Sequence, residues 1–271
     1  MTDTSGSFVH AGPRIADTGI SDAGHSDAGH SDAEWQARID LAAAYRLVAE
    51  RGWDDLIYTH ISLAVPGEPG RFLINPFGLT FDEVTASNLV KIDIHGAIIG
   101  DSPHPVNATG FVIHGAVHAA REDARCVMHL HNEAAVAVSM LKDGLLPLSQ
   151  HALRFYRDLA YHRYEGLALT DSEKVRLIAN LGTRRAMLLH NHGSLVTGRT
   201  VAEAFCLMDM LDKACRMQLA AQATGAELVS PAPELCDKTY RQLTADPEPE
   251  GELEWPALLR RLDRRCPDYK N

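Results

Sequence analysis

Two short stretches constrain this chain more than anything else in it: Cys126-Val127-Met128-His129-Leu130-His131 and Ala186-Met187-Leu188-Leu189-His190-Asn191-His192-Gly193. Each is an apolar run of strand length that closes on histidines. Side chains alternate along a strand, so His129 and His131 project from the same face at its end. Three neutral imidazoles around one divalent ion, with the fourth position left to water or substrate, make a catalytic metal site rather than a closed structural one. A lone His-x-His is a weak signal, because histidine often serves as an ordinary buried polar residue. The second stretch, ending in His192-Gly193, strengthens it.

Composition narrows the function classes. The 271 residues suit one large domain or two small ones, and 45% apolar content is ordinary for a globular chain. A formal charge of -10 and a pI near 5.7 argue against nucleic acid and anionic membrane as partners, since phosphate backbones demand clustered Lys and Arg. The five cysteines, Cys126, Cys206, Cys215, Cys236 and Cys266, are odd in number and widely spaced, as reduced packing thiols are. With no membrane-length apolar run and a polar N-terminus lacking a signal-peptide core, the expected location is the cytoplasm.

Along the chain, residues 1–31 carry the tandem repeat Ser21–His25 and Ser26–His30 with few large apolar side chains, a disordered leader by composition. Asp32 caps an expected helix through Trp35, Ile39, Ala42, Ala43, Leu47 and Val48, ending near Gly52. Leu56–Val65 alternates like a strand and returns through Pro66–Gly70 into Arg71–Ile74, a hairpin. Asn75–Gly78 reads as a turn, and Leu89–Ile94 with Ala97–Ile99 as a second hairpin. Thr109–Arg121 has helical spacing, with Val112, Ala116 and Ala119 on its expected inner face. Its His114 and His118, four apart, are expected to be packed or surface histidines rather than a metal pair. A helix is expected through Ala134, Val136, Val138 and Leu141, whereas the stretch from Leu145 to Glu165 shows little periodicity. Thr170-Asp171-Ser172-Glu173 has capping-box form, and Thr200 opens a long helix whose Phe205, Met208, Leu211, Cys215 and Leu219 make an apolar stripe. The expected organisation is a leader (1–31), a core domain (32–230) and a proline-rich, acidic extension ending in a short basic helix (231–271). Strands and helices in alternation indicate α/β layering.

Three segments, Asn75-Pro76-Phe77-Gly78-Leu79-Thr80, Val127–His131 and Leu188–Gly193, together resemble the class II aldolase/adducin family, over roughly Glu34 to Gly225. That resemblance implies a three-layer α/β/α sandwich around a mainly antiparallel central sheet. It also implies a homotetramer and a small-molecule substrate. By motif match, His129, His131 and His192 correspond to metal ligands, with His190 the second choice. Zinc is the default ion, while iron, manganese, cobalt and nickel accept the same ligands. The implied chemistry is cleavage or formation of a carbon–carbon bond next to a carbonyl in a small hydroxy- or oxo-acid or sugar-like substrate.

The family's acid/base glutamate would fall at Gly110, and no carboxylate is nearby. Its phosphate-binding elements would fall at Thr59-His60 and Ala108-Thr109, of which Thr109, with the turn glycine Gly78, is a candidate substrate contact. Proton transfer then falls to His60, His151, Tyr164 or Glu165, and an imidazole suits the task near neutral pH. Three classes of function follow: a metal-dependent lyase; an iron oxygenase/decarboxylase or epimerase on the same fold; and a non-catalytic, adducin-like assembly module. The first is the leading expectation.

Overall fold

The computed structural model describes residues 29–166, 171–245 and 250–271, with backbone alone at 108–110 and 171. The leader expected over 1–31 lies mostly outside these residues, as does Thr170 of the expected capping box. Helix α1 (Asp32–Arg51) begins at the predicted cap and stops at Gly52, whose φ of +65° glycine adopts without strain. It is followed by β1 (His60–Ala64), β2 (Arg71–Ile74) and β3 (Val90–Asp93). Helix α2 (Ala108–Ala120), strand β4 (Cys126–Leu130), α3 (Glu133–Ser139) and α4 (Gln150–Leu153) come next. The remainder is β5 (Leu159–His162), α5 (Asp171–Leu181), β6 (Ala186–Leu189), β7 (Gly193–Gly198), α6 (Val201–Ala223), α7 (Pro233–Leu243) and α8 (Glu254–Asp263).

The seven strands among the described residues form one sheet in the order β3-β2-β1-β4-β7-β6-β5, antiparallel except for the β5–β6 pair. Register pairs His60 with His129 and Ser62 with Val127, so these four side chains share a face. On the other face Ile61, Leu63, Met128, Leu130, Leu188 and Val196 pack with α1, α3 and α6 in the largest apolar cluster. Val127, Met187 and Leu195 pack instead against Ile113 and Val117 of α2 and Leu177 and Leu181 of α5. The result is the expected α/β/α sandwich around a mainly antiparallel sheet.

Four local expectations differ from what is observed. Leu56–Val65 is not one strand. Leu56 and Thr59 have φ of +53° and +68°, so a turn over Asp55–Tyr58 precedes a strand that begins only at His60. The buried side of α2 is Phe111, Ile113, His114 and Val117, while Ala119 is exposed. This helix is apolar nearly all round, so the spacing of its small residues does not select a face, and the polar partner waiting on β1 does. Strand β5 lies within the stretch that showed little periodicity. β7 follows β6 directly, with both of its terminal glycines required by close approaches: a Cβ at Gly198 would lie 2.7 Å from the Ala204 nitrogen.

Residues 254–271, whose place the sequence does not indicate, pack on α1. The Trp255 indole donates to Asp40 at 3.0 Å, and Trp255, Leu262 and Tyr269 join the main core. The backbone N–H groups of Ala86 and Ser87 donate to the carbonyls of Tyr269 and Asn271. Among the described residues no helix is long and apolar enough to cross a membrane, and all five cysteines are free thiols.

Candidate metal centre

The two histidine stretches converge. One nitrogen from each of His129, His131 and His192 lies within 4.8 Å of the other two, and the ring centroids are 4.8 to 5.2 Å apart. His129 and His131 come from the end of β4. His192 stands in the three-residue turn His190-Asn191-His192 that joins β6 to β7, with Asn191 at φ +59° as such a hairpin requires. Gly193 permits the approach. A Cβ there would sit 2.6 Å from the Leu130 carbonyl oxygen, 3.0 Å from the His131 ring and 3.2 Å from the His129 ring.

Hydrogen bonds fix which nitrogens face inward. The His129 Nδ1–H donates to the Ser194 carbonyl at 2.9 Å, and the His131 Nδ1–H to Asp55 Oδ2 at 2.8 Å. Both rings therefore offer Nε2, and that of His131 is buried with no partner. A carboxylate or carbonyl behind a ligating histidine is the arrangement that orients the ring and raises its basicity. Burial, then the neighbouring imidazoles, holds the His129 pKa well below the usual value; burial, then His131, brings His192 down to about 4. Neutral rings are what a cation needs. One nitrogen per ring within 4.8 Å of the other two is a spacing that a single divalent ion could span. The donor set fits a divalent ion.

Asp55 and Ser194 were not singled out in the sequence. The one available signal for Asp55 was a pair of acids, Asp54-Asp55, ahead of a strand. His190, the second-choice ligand, turns from the triad: its Nδ1–H donates to the Ser139 carbonyl at 2.6 Å and its ring stacks on Tyr161.

The other candidates divide. His60 is buried opposite His129, with both ring nitrogens unpartnered and its pKa lowered to about 4 by burial and then by His131. Tyr164 lies 6.5 Å from His192, centroid to centroid, and lines a small pocket with His162, Glu165, Glu173 and His192. Glu165 pairs with Arg176, which holds its carboxyl below the usual range. His151 is not brought to the triad within the chain, since its helix α4 packs on α6 and α7. Gly78 occupies the turn after Asn75 at φ +105°. The Tyr45 hydroxyl anchors that turn, accepting from the N–H of Ile61 and donating to Asn75 Oδ1. The side chain of Thr109 lies outside the described ones.

Comparison with known proteins places the chain in a family. Residues 39–219 match the family described as Class II Aldolase and Adducin N-terminal domain. An aldolase class 2 family protein of Caulobacter vibrioides is 52% identical over 88% of this chain and 93% of its own length. Mouse alpha-adducin is 45% identical over 69% of this chain, which corresponds to 26% of the adducin. Among solved structures, an aldolase II superfamily protein from Pseudomonas syringae superposes with a TM-score of 0.87 at 49% identity, covering 89% of this chain and 98% of that one. The L-fuculose 1-phosphate aldolase of Glaciozyma antarctica PI12 gives 0.78 at 28% identity, covering 88% and 93%.

Proposed function

The chain belongs to the class II aldolase and adducin family, and we propose that it is a divalent-metal-dependent lyase. On this reading it makes or breaks a carbon–carbon bond beside a carbonyl in a small hydroxy- or oxo-acid or sugar-like substrate. The convergence of His129, His131 and His192, each with a nitrogen free to face a common point, carries the reading. Its similarity to L-fuculose 1-phosphate aldolase supports the reaction class. Zinc is the favoured ion, with iron, manganese, cobalt and nickel also compatible. A homotetramer in the cytoplasm, without nucleic acid or membrane as partner, is the matching assembly.

The ion when bound supplies Lewis acidity to a carbonyl oxygen. The protein's own groups do the rest. Ser194 and Asp55 orient two of the ligands. His60, neutral and without a hydrogen-bond partner, receives the substrate proton in place of the carboxylate missing at Gly110. Tyr164 and Glu165 border the entrance at His192, with Glu165 kept ionised by Arg176, while Gly78 and Thr109 contact the substrate. His151 would act only across a subunit boundary.

The absence of a carboxylate at Gly110 also favours a second reading, a non-catalytic module on the same fold. Elemental analysis of protein purified without added metal, with anaerobic assays of carbon–carbon cleavage, separates the two. One equivalent of metal per chain and turnover lost in His60→Ala at unchanged metal content are expected. Full turnover in that variant removes His60 from the mechanism, and metal-free protein whose thermal stability ignores added zinc favours the module.

A further inference from the structure

The three histidines come from two segments that sheet pairing sets side by side, with Leu130 opposite Ser194. A line of hydrogen bonds reaches that junction from the layer on the other face of the sheet. Asp212 of α6 is 3% exposed, and Asn132, directly after His131, is 1% exposed. The Asn132 Nδ2–H donates to Asp212 Oδ1 at 2.9 Å, and the Ser194 hydroxyl donates to Asn132 Oδ1 at 2.7 Å. Ser194 is completely buried, and its carbonyl takes the His129 Nδ1–H at 2.9 Å.

The direction of each bond follows from its partner. A carboxylate that also accepts from Arg216 Nε at 2.7 Å has nothing to donate, so Asn132 turns its N–H toward Asp212 and its carbonyl oxygen toward Ser194. The one Ser194 hydroxyl proton goes to that oxygen rather than to the Leu130 carbonyl or the Met208 sulfur, both at 3.3 Å.

Local stability does not account for these side chains. Asn132 stands at the N-cap of α3, where asparagine ordinarily accepts an N–H of the first turn, yet its side chain makes no such bond. Asp212 brings a carboxylate into the stretch of α6 whose Leu207, Met208, Leu211 and Cys215 pack in the main core. A buried ion pair there is often no more stabilising than an apolar side chain of similar volume. Both residues are instead committed to the junction between the segment of His131 and that of His192.

We propose that Asp212 and Asn132 are positioning residues for the metal centre. Acting through Ser194, they lock the end of β4 to the start of β7 and so set the spacing of His129, His131 and His192. Neither residue touches the ion or the substrate. The geometry of the centre is thereby held by α6, a helix on the opposite face of the sheet.

This inference rests on the metal dependence proposed above, and it is tested by binding rather than turnover. Zinc affinity of the full chain is measured by chelator competition, alongside melts of the metal-free protein. Asn132→Ala and Asp212→Ala are each expected to lose about 10–100-fold in affinity, the range in which partners behind metal ligands act. Asp212→Asn keeps an oxygen for the Asn132 N–H and should restore most of that loss. Phe205→Ala damages the same layer but takes no part in these hydrogen bonds, so it should melt lower than the others and bind zinc as wild type does. Ser194→Ala removes the hydroxyl alone, and adding it to Asn132→Ala should weaken binding no further. Wild-type affinity in folded Asn132→Ala, additive losses in the double variant, or an equal loss in Phe205→Ala overturns the proposal. Should Asn132→Ala fail to fold, Ser194→Ala carries the test, and wild-type affinity there overturns it. A wild type that binds zinc without cleaving carbon–carbon bonds removes the lyase reading and leaves the variant series to decide this one, whereas a wild type that binds no zinc removes both.

Discussion

The face of the sheet beneath α1, α3 and α6 and the face beneath α2 and α5 are built from the same strands, yet they spend their burial differently. Under α1 and α6, Leu41, Leu47, Ile61, Leu73, Met128 and Phe205 form a continuous apolar layer, and its buried Tyr45 hydroxyl is hydrogen-bonded. Under α2 and α5 the apolar packing is split into two smaller clusters. Between them, on β1 and α2, stand His60, Ser62, His114 and His118, and nitrogens of His60 and His114 have no partner. Each such buried nitrogen costs about 1–3 kcal/mol, the same order as the gain from burying one large apolar side chain. One face therefore supplies the stability that lets the other hold groups ready for chemistry.

The most severe way to break this division is to hollow the apolar face. Phe205→Ala is expected to lower unfolding free energy by about 3–5 kcal/mol in urea titration while the folded fraction keeps its zinc stoichiometry. Equal damage to stability from His60→Ala would erase the contrast. Acid acts on the opposite face. Buried His60 and half-buried His118 have pKa values near 4 against an ordinary 6.5, lowered chiefly by desolvation. Between those values the unfolded chain binds protons that the folded one refuses. Metal-free protein should thus be fully stable above about pH 6.5 and lose up to about 1.4 kcal/mol per pH unit for each group on acidification toward 4. Urea midpoints measured across that range check the slope, which His60→Ala should flatten.

Two smaller changes sharpen the comparison at the proposed metal centre. Gly193→Ala drives a methyl against the Leu130 carbonyl and should cost about 1–3 kcal/mol together with zinc binding, read by thermal melts with and without metal. Asp55→Asn leaves the packing intact, so only zinc affinity should fall, by about 10–100-fold in competition with a chromophoric chelator. Unchanged affinity would mean that the His131–Asp55 contact does not orient the ligand.

The sequence was most informative where one periodicity had one meaning. Strand alternation at Cys126–His131 and the cap at Asp32 led to the right elements, and the pairing of two histidine stretches led to the three side chains that meet. It was least informative where tertiary partners decide. Nothing local marks Leu56 and Thr59 for left-handed backbone, and that turn is what carries Asp55 to His131. The buried side of α2 departs from its apolar spacing because the residues selecting it, His114 and His118, are polar and answer to Ser62 on a distant strand. Strand β7, bounded by two glycines, lacks the β-branched density that identifies a strand, and its burial on both faces comes from neighbours.

The clamp on the β6–β7 turn links the two layers. Ser139, the last residue of α3, accepts the Asn191 N–H on its hydroxyl and the His190 ring N–H on its carbonyl, so the loop that presents His192 hangs from a helix on the far side of the sheet. Packing changes made at that helix would reach the His192 turn, and through it any ion the three histidines hold. In cobalt-substituted protein they should therefore shift the visible absorption bands, giving an optical gauge of how tightly the back layer is assembled.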